Sequence, residues 1–423
     1  MKFKVVFTVL LALSFFSAHA AYDFTISETE HKYIDGVNTP SYAINSSVPG
    51  PLVRGEEGEN ISINVTNELE ESTTLHWHGL QVDNEMDGVP GLTQEGIKPG
   101  ESFEYRLNLD NPGTYWYHSH DDSGRQVEKG LQGPLIIDAK DDPYSHLPER
   151  VLMVDDVRLN EDGTHARFGI GVMHGRFGNR LVVNGKENPS LTLPKGYSRL
   201  RLINSANARV FNLRIPNAST YVIGEGIGFL ENPEEREVLT VQPSDRLDVV
   251  VHNEGEDDLS LQYVRRDRSE NIARFTSEEA VVDNLSLKAR EQEYFNFCPA
   301  YKAADLDVVL RGRNTGRGIE WMINDKSSLR EKEVFEAKEG KVYVVNFSNV
   351  QAQPHPMHLH GQKMKVIERN GERADGPWRD TVTVDGNEEV IAMFRAEGKG
   401  EWAFHCHILE HSEAGMMSTL NIS

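Results

Sequence analysis

A short segment near the end of the chain, HCHILEHSEAGMM at residues 405–417, concentrates three kinds of metal ligand. Its imidazole, thiolate and thioether groups belong to His405, Cys406, His407, His411 and Met416. Histidine nitrogens and a cysteine thiolate with a weak axial methionine are the ligand set of a blue-copper electron-transfer site. The segment therefore predicts a copper site in this part of the chain.

The expected conformation of this segment divides its ligands into two groups. We predict a strand over residues 402–408, in which alternate side chains point to opposite faces. Cys406 then faces one side, and His405 and His407 face the other. One peptide segment would contact two metal centres through neighbouring residues, which is a short path for electrons. This arrangement also predicts histidine pairs elsewhere in the chain that meet His405 and His407.

Three further segments carry histidines at such spacings. The segments LHWHG, TYWYHSH and HPMHLHG contribute His76, His78, His118, His120, His355, His358 and His360. A single His-x-His pair carries little weight, because any strand with exposed histidines can show it. Four clusters in one chain favour metal binding by residues that are far apart in the sequence.

These four segments resemble, in order, the copper-binding motifs of the multicopper oxidases, a family that includes laccases, cuprous oxidases, ferroxidases and bilirubin oxidases. The resemblance runs over most of the chain after residue 20 and is strongest at both ends. It implies four copper ions, namely one type-1 ion, one type-2 ion and one type-3 pair. It also implies that the type-1 ligands are His355, Cys406, His411 and Met416.

The resemblance assigns the other histidines to a trinuclear cluster built by two domains. His76 and His358 are similar to the type-2 ligands. The six residues similar to type-3 ligands are His78, His118, His120, His360, His405 and His407. The first and third domains would each supply four histidines and would therefore face each other.

Strand signals dominate the rest of the chain, which shows short β-branched and aromatic runs separated by Gly, Pro, Asn and Asp. A chain of 423 residues is too long for one core. We predict an all-β protein of repeated β-sandwiches, with domains at residues 21–142, 143–290 and 291–423. The resemblance implies three cupredoxin-like Greek-key domains, the middle one without copper.

The first 20 residues have the features of a secretory signal peptide. Lys2 and Lys4 precede a short apolar run, and small residues at Ala18 and Ala20 suit a signal peptidase. Without a twin-Arg pair, the signal is of the Sec type, so we expect a periplasmic or secreted protein. No later apolar stretch is long enough for a membrane span. Cys298 is expected to be a buried small apolar residue and not half of a disulfide.

The formal charge of −22 limits the classes of partner. So acidic a chain is not expected to bind nucleic acid and should be soluble. We expect a monomer. Its acidic surface could attract small cations, although a solvated surface accounts for most of these charges.

Two acidic positions are candidates for handling protons. Asp87 matches the acid that the family places near the water path to the cluster, although an Asp before Gly88 also suits a simple turn. Many bacterial relatives place a carboxylate directly after the last type-1 histidine, where this chain has Ser412. The second proton donor is therefore left open between Glu413 and Glu410.

Trp77 and Trp116 lie between ligands in the sequence. By strand alternation we expect both rings to point away from the metal and to pack in the core.

The leading functional hypothesis is a laccase-type oxidase, which oxidises phenols and aromatic amines at the exposed edge of a type-1 histidine and reduces dioxygen to water. The methionine-rich insertion of many cuprous oxidases is missing, and Gln351 and Gln353 stand where those enzymes place Asp and Met. Oxidation of Cu(I) or Fe(II) is the second hypothesis.

Two alternatives come from other classes. A non-catalytic periplasmic copper-binding protein is disfavoured because every ligand position is filled. A copper nitrite reductase is disfavoured by the eight-histidine cluster and the three-domain length.

Overall fold

The computed structural model describes residues 20–169, 172–266, 268–279, 281–282, 284–288 and 303–423. The regular elements in these residues are almost all strands, in agreement with the predicted all-β class. The helices are one 3-10 turn at Asn84–Met86, α1 at Ser123–Glu128 and α2 at Leu409–Glu413. Within this part of the chain, no helix has the length and apolarity that crossing a membrane requires.

Three sequence predictions fall on residues that are not described. The signal peptide, except for Ala20, the domain boundary at residue 290 and Cys298 all lie outside the described residues.

The first sandwich contains eight strands. They are β1 (Ala20–His31), β2 (Thr39–Ile44), β3 (Val53–Glu56), β4 (Asn60–Asn67), β5 (His76–His78), β6 (Ser102–Asn108), β7 (Gly113–His118) and β8 (Gln132–Asp138). Two four-stranded sheets result, with the orders β2-β1-β4-β6 and β3-β8-β7-β5. Alternation in β4 buries Ile61, Ile63 and Val65 between the sheets.

The middle sandwich is built from eleven strands. They are β9 (Glu149–Val157), β10 (Arg180–Val183), β11 (Ser190–Thr192), β12 (Gly196–Asn204), β13 (Phe211–Arg214), β14 (Ala218–Glu225), β15 (Phe229–Glu235), β16 (Leu239–Val241), β17 (Arg246–Asn253), β18 (Asp258–Arg265) and β19 (Arg268–Thr276). A six-stranded sheet, β10-β9-β12-β17-β14-β15, packs on a five-stranded sheet, β11-β19-β18-β13-β16. The predicted break at residue 142 falls in the connection between β8 and β9.

The third sandwich holds the remaining strands. They are β20 (Leu306–Asn314), β21 (Ile319–Ile323), β22 (Val334–Ala337), β23 (Val342–Asn349), β24 (His355–Leu359), β25 (Met364–Arg369), β26 (Glu372–Arg373), β27 (Trp378–Arg379), β28 (Thr381–Val384), β29 (Glu389–Arg395), β30 (Gly400–Cys406) and β31 (Met417–Ile422). One sheet has the order β21-β20-β23-β29-β25-β26, with β27 also paired to β25, and the other is β22-β31-β30-β24-β28.

The apolar cores show which sandwiches belong together. One continuous cluster contains buried residues of both the first and third sandwiches, such as Trp77 and Trp402. The middle sandwich has a cluster of its own, which includes Leu200, Phe211 and Val249. The first and third sandwiches therefore face each other, as a cluster with ligands from both domains requires.

Replacement of Phe211 by Ala should destabilise the middle sandwich by about 3–5 kcal/mol, because this ring is fully buried and its removal leaves a cavity. Val238→Ala is the matched control, since Val238 is 40% exposed in the same sandwich and its truncation should cost less than about 0.5 kcal/mol. Thermal or denaturant unfolding measures both changes. Equal midpoints for the two variants would contradict this assignment of the core.

Candidate metal centres

The first group of candidate ligands consists of His355, Cys406 and His411. His355 begins β24, Cys406 ends the neighbouring strand β30, and His411 lies in α2. The Sγ atom of Cys406 is 3.6 Å from Nδ1 of each histidine, and the two Nδ1 atoms are 3.1 Å apart. Three donor atoms therefore converge on one buried point.

Met416 lies beside this group through the backbone. The Met416 carbonyl accepts a hydrogen bond from the Cys406 amide at 3.1 Å, and the Met416 amide donates to the His411 carbonyl at 2.9 Å. The Met416 side chain is fully buried, whereas that of Met417 is partly exposed. This placement is compatible with Met416 as the axial ligand. Its role as a ligand stays a prediction.

The strand that carries Cys406 ends earlier than predicted. We expected a strand over residues 402–408, but β30 ends at Cys406, and the His407 amide instead donates to the Pro356 carbonyl at 2.7 Å. The expected separation of side chains nevertheless occurs. His405 lies near His360, and His407 lies near His118, on the opposite side from the first group.

The second group is a cluster of eight buried histidines. Its members are His76, His78, His118, His120, His358, His360, His405 and His407. Four come from the first sandwich and four from the third, as predicted. The Nε2 atoms of residues on the two sides face each other, with 3.3 Å between His76 and His358 and 3.4 Å between His118 and His407.

Hydrogen bonds fix the tautomer of five of these rings. The Nδ1 atoms of His76, His118, His358 and His405 lie 2.8–3.0 Å from the backbone carbonyls of Asp87, Ser119, Asp380 and Cys406. A carbonyl oxygen only accepts, so each Nδ1 must be the protonated nitrogen. Nε2 is then the atom with the free lone pair. His360 follows the same rule, because its Nδ1 donates to Asp87 Oδ2 at 2.8 Å.

His78 is held by the other nitrogen. Its Nε2 lies 3.0 Å from Asp380 Oδ1 and 3.2 Å from Thr381 Oγ1. Its Nδ1 is buried and has no hydrogen-bond partner. The free lone pair of His78 is therefore on Nδ1. A ring nitrogen of His78 lies within 4.8 Å of ring nitrogens of His76 and His118, and because Nε2 contacts Asp380 we infer that Nδ1 faces the cluster.

The geometry of both groups fits a soft transition-metal cation. Between the rings with fixed tautomers, Nε2 lone pairs face each other at 3.0–3.3 Å, and such lone pairs repel unless a cation lies among them. Burial lowers the pKa of His118 to about 3 and that of His405 to about 4, so protons do not supply that cation at neutral pH. Neutral imidazoles, with a thiolate in the first group, are donors that suit copper.

The thiolate form of Cys406 also needs a cation beside it. Burial raises the pKa of the Cys406 thiol, so the thiolate forms only beside a positive charge. A metal ion held by His355 and His411 would supply that charge.

The predicted proton-handling residues lie in different surroundings. Asp87 is completely buried, and its carboxylate accepts the hydrogen bond from His360. Glu413 is half-buried, and its Oε1 accepts from the Gly124 amide of α1 at 2.7 Å. Burial, with Asp122 and Glu410 nearby, raises the pKa of Glu413 to about 7. Glu410 is buried and accepts from Asn207 of the middle sandwich at 2.7 Å.

Two sequence expectations were wrong. Trp116 does not point away from the ligands, because it lies two positions before His118 on the same face of β7, and the rings are 4.5 Å apart. Trp77 does pack in the core, against Tyr105. The edge of a type-1 histidine was expected to be exposed, but His355 and His411 are both fully buried.

Sequence reasoning missed Asp380, Thr381 and Arg246. Asp380 Oδ2 lies 2.5 Å from a guanidinium nitrogen of Arg246, and both side chains are only 1% exposed. Although burial opposes ionisation, the charge of Arg246 holds the pKa of Asp380 below its usual value. The signal in the sequence is faint, since WRDTV reads as an ordinary strand with a charge at its edge.

Comparison with known proteins finds multicopper oxidases both by sequence and by structure. Sequence profiles described as multicopper oxidase match residues 25–142 and 299–423. The multicopper oxidase mco of Staphylococcus epidermidis is 29% identical over 91% of this chain and 84% of its own length. The structure of a Campylobacter jejuni multicopper oxidase, described as a metallo-oxidase, is 30% identical, with a TM-score of 0.83 over 95% of this chain and 91% of that one.

A third relative has a different described activity. The laccase-like multicopper oxidase CueO of the lignin-degrading bacterium Ochrobactrum sp. is 26% identical, with a TM-score of 0.85 over 96% of this chain and 97% of that one. Its description reports oxidase activity towards lignin model compounds and lignosulfonate.

The chain belongs to the multicopper oxidase family. Its three sandwiches are cupredoxin-like, as predicted, and it is a copper oxidoreductase that uses dioxygen.

The metal-free protein should lose stability as the pH falls below about 6.5. An unfolded histidine has a pKa of about 6.5, whereas burial lowers the pKa of His118 and that of His355 to about 3 in the folded chain. Between these values the unfolded state binds more protons, so acid favours unfolding by about 1.4 kcal/mol per pH unit for each such histidine.

Denaturant midpoints measured from pH 7 to pH 4.5 test this expectation. His118→Gln should reduce the slope, because one titrating group is removed. Copper should move the loss of stability to lower pH, because the ion competes with protons for the same nitrogens. A midpoint that does not change with pH would contradict the burial of neutral histidines.

Proposed function

We propose that this chain is a laccase-type oxidase, which takes single electrons from small phenols and aromatic amines and uses them to reduce dioxygen to water. One observation carries the proposal. Cys406 lies in one ligand group, while its neighbours His405 and His407 lie in the other. Electrons would pass between the groups through the covalent bonds of adjacent residues.

The proposed ligands follow from these groups. A type-1 ion would be held by His355, Cys406, His411 and Met416, and a type-2 ion by His76 and His358. The other six histidines of the cluster would hold a type-3 pair. Copper, when bound, supplies single-electron redox steps and the place where dioxygen reacts.

The electron donor would bind at the surface of the loop that covers His411. His411 Nε2 donates to the Met173 carbonyl at 3.2 Å, and the Trp321 indole donates to the Val172 carbonyl at 3.3 Å. The side chains of Val172 and Met173 are 40% and 46% exposed. These exposed apolar side chains belong to a loop whose backbone contacts the ligand ring of His411. Such a surface suits an aromatic donor better than a hydrated metal ion.

Protons would reach the cluster from two sides. Asp87 touches His360, so its carboxylate is placed to hold a proton beside the cluster. Glu413 is preferred over Glu410 as the second donor, because Glu413 contacts the helix that follows His120, whereas Glu410 faces the middle sandwich. We also propose that the protein acts as a monomer after export by the signal peptide.

Cys406→Ser should abolish both the blue absorption and the oxidation of organic donors, because serine does not replace the thiolate. The histidine cluster should still bind copper. His118→Ala is the matched opposite case, in which the first group still accepts one electron but turnover stops. Reduction without oxygen, followed by admission of air, separates the two variants. Retained donor oxidation in Cys406→Ser, or normal re-oxidation in His118→Ala, would contradict the proposed path.

Metal-ion oxidation is the second candidate function, and two observations favour it. The Campylobacter jejuni relative is described as a metallo-oxidase, and the charge of −22 would attract small cations.

Catalytic efficiencies for a dimethoxyphenol, Cu(I) and Fe(II), compared at one pH without added free copper, distinguish the two functions. We expect the phenol to be the best of the three donors, because the loop over His411 is apolar. An excess of about a hundredfold for either metal ion, equivalent to about 2.7 kcal/mol of transition-state preference, would instead identify a metallo-oxidase.

A further inference from the structure

A buried ion pair links the middle sandwich to the histidine cluster. The two terminal nitrogens of Arg246 lie 3.0 Å from Asp380 Oδ1 and 2.5 Å from Asp380 Oδ2. Arg246 begins β17 of the middle sandwich, and Asp380 precedes β28 of the third. The pair is bidentate, so it fixes the plane of the carboxylate as well as its position.

Asp380 holds one ligand from each of the two domains that build the cluster. Its carboxylate accepts from His78 Nε2, and its backbone carbonyl accepts from His358 Nδ1 at 3.0 Å. Thr381 Oγ1 donates to Asp380 Oδ1 at 2.8 Å and completes the arrangement. The rings of His78 and His358 stack at 3.8 Å, so the orientation of one ring constrains the other.

Arg246 is itself held at the junction of the domains. Its Nε donates to the Thr114 carbonyl of the first sandwich at 3.0 Å, and a terminal nitrogen donates to the Ser244 carbonyl at 3.0 Å. The side chain therefore has little freedom to move, and the position of the Asp380 carboxylate is determined by contacts with all three sandwiches.

Gly79 of the first sandwich leaves space for the ion pair beside His78. It follows His78 directly, and a Cβ at this position would overlap Asp380 Oδ2 and lie 3.1 Å from Arg246. The backbone at residue 79 thus leaves room for the ion pair to reach the His78 ring.

We propose that Arg246 is a positioning residue for the cluster, which acts through Asp380 to fix His78 with Nδ1 directed at the metal. Through Arg246, the middle sandwich would thereby control copper binding by His78, which belongs to the first sandwich. The inference rests on the proposed function in so far as the cluster binds copper. The alternative is that the ion pair only ties domains together.

Asp380→Asn and Arg246→Met remove the two halves of the pair, and Arg246→Lys keeps the charge without the bidentate contact. Arg199→Met is the matched control. Arg199 is also a buried arginine of the middle sandwich, paired with Asp142 and Asp248, and its pairs do not include a cluster histidine.

Copper content and electron paramagnetic resonance are the first readouts. In Asp380→Asn and Arg246→Met, affinity for the His78-bound copper should fall about 10- to 100-fold, and signal from uncoupled copper should appear. The blue absorption of the first group should remain. Arg246→Lys should give a smaller loss in the same direction. Arg199→Met should lower the thermal midpoint but keep the copper content and spectrum of the parent.

The second readout does not need copper. In the metal-free protein, long-range proton–nitrogen NMR should show His78 protonated on Nε2 in the parent and in Arg199→Met. In Asp380→Asn and Arg246→Met, a mixture of tautomers is expected. If the parent bound no copper at the cluster, the proposed function would fail, while the tautomer would still test the positioning role.

Unchanged cluster copper and an unchanged His78 tautomer in Arg246→Met would overturn the proposal and leave a structural tie. Should Arg246→Met fail to fold, Arg246→Lys gives the same decision, because it also removes the bidentate contact, and Asp380→Asn shows the effect of losing the carboxylate itself.

Discussion

The main constraint on this structure is the repulsion between buried imidazole lone pairs that face each other. The rings are too deeply buried to be protonated near neutral pH, and five of them already donate through Nδ1 to oxygens of the chain. What remains is a set of lone pairs directed at one another, which a metal cation stabilises. The facing sandwiches and their shared core keep these rings together against that repulsion.

The cluster uses two kinds of support, and they differ in their sensitivity to substitution. His118 and His405 donate to carbonyls of the next residue in the chain, so the backbone itself orients those rings. His360 and His78 instead depend on the carboxylates of Asp87 and Asp380. Substitution of a side chain can remove the second kind of support but not the first. The two carboxylates are therefore the points at which the cluster is most easily altered.

Much of this architecture could be predicted because successive side chains of a β-strand point to opposite faces. Alternation correctly separates Cys406 from its neighbours, and the strand pattern gives the all-β class. Trp116 was misplaced because it was treated like Trp77, which adjoins two ligands, although Trp116 is two positions from His118 and therefore shares its face of the strand. Arg246 and Asp380 escaped prediction for a different reason. They lie 134 residues apart, and nothing in the local sequence of either indicates that they meet. The burial of His411 was missed because the loop that covers it comes from the middle sandwich.

The separation of the paired histidines along the chain has a consequence for folding. His76 and His358 are 282 residues apart, and His118 and His407 are 289 apart. Contacts of such long range form late, because closing a long loop costs entropy before any contact compensates for it. Each sandwich can bury its own strands first, whereas the two halves of the cluster meet only when the outer sandwiches dock. Copper that arrives earlier finds only half of the histidine cluster, whereas all ligands of the first group belong to the third sandwich. Loading of the cluster therefore reports the docking of the outer sandwiches.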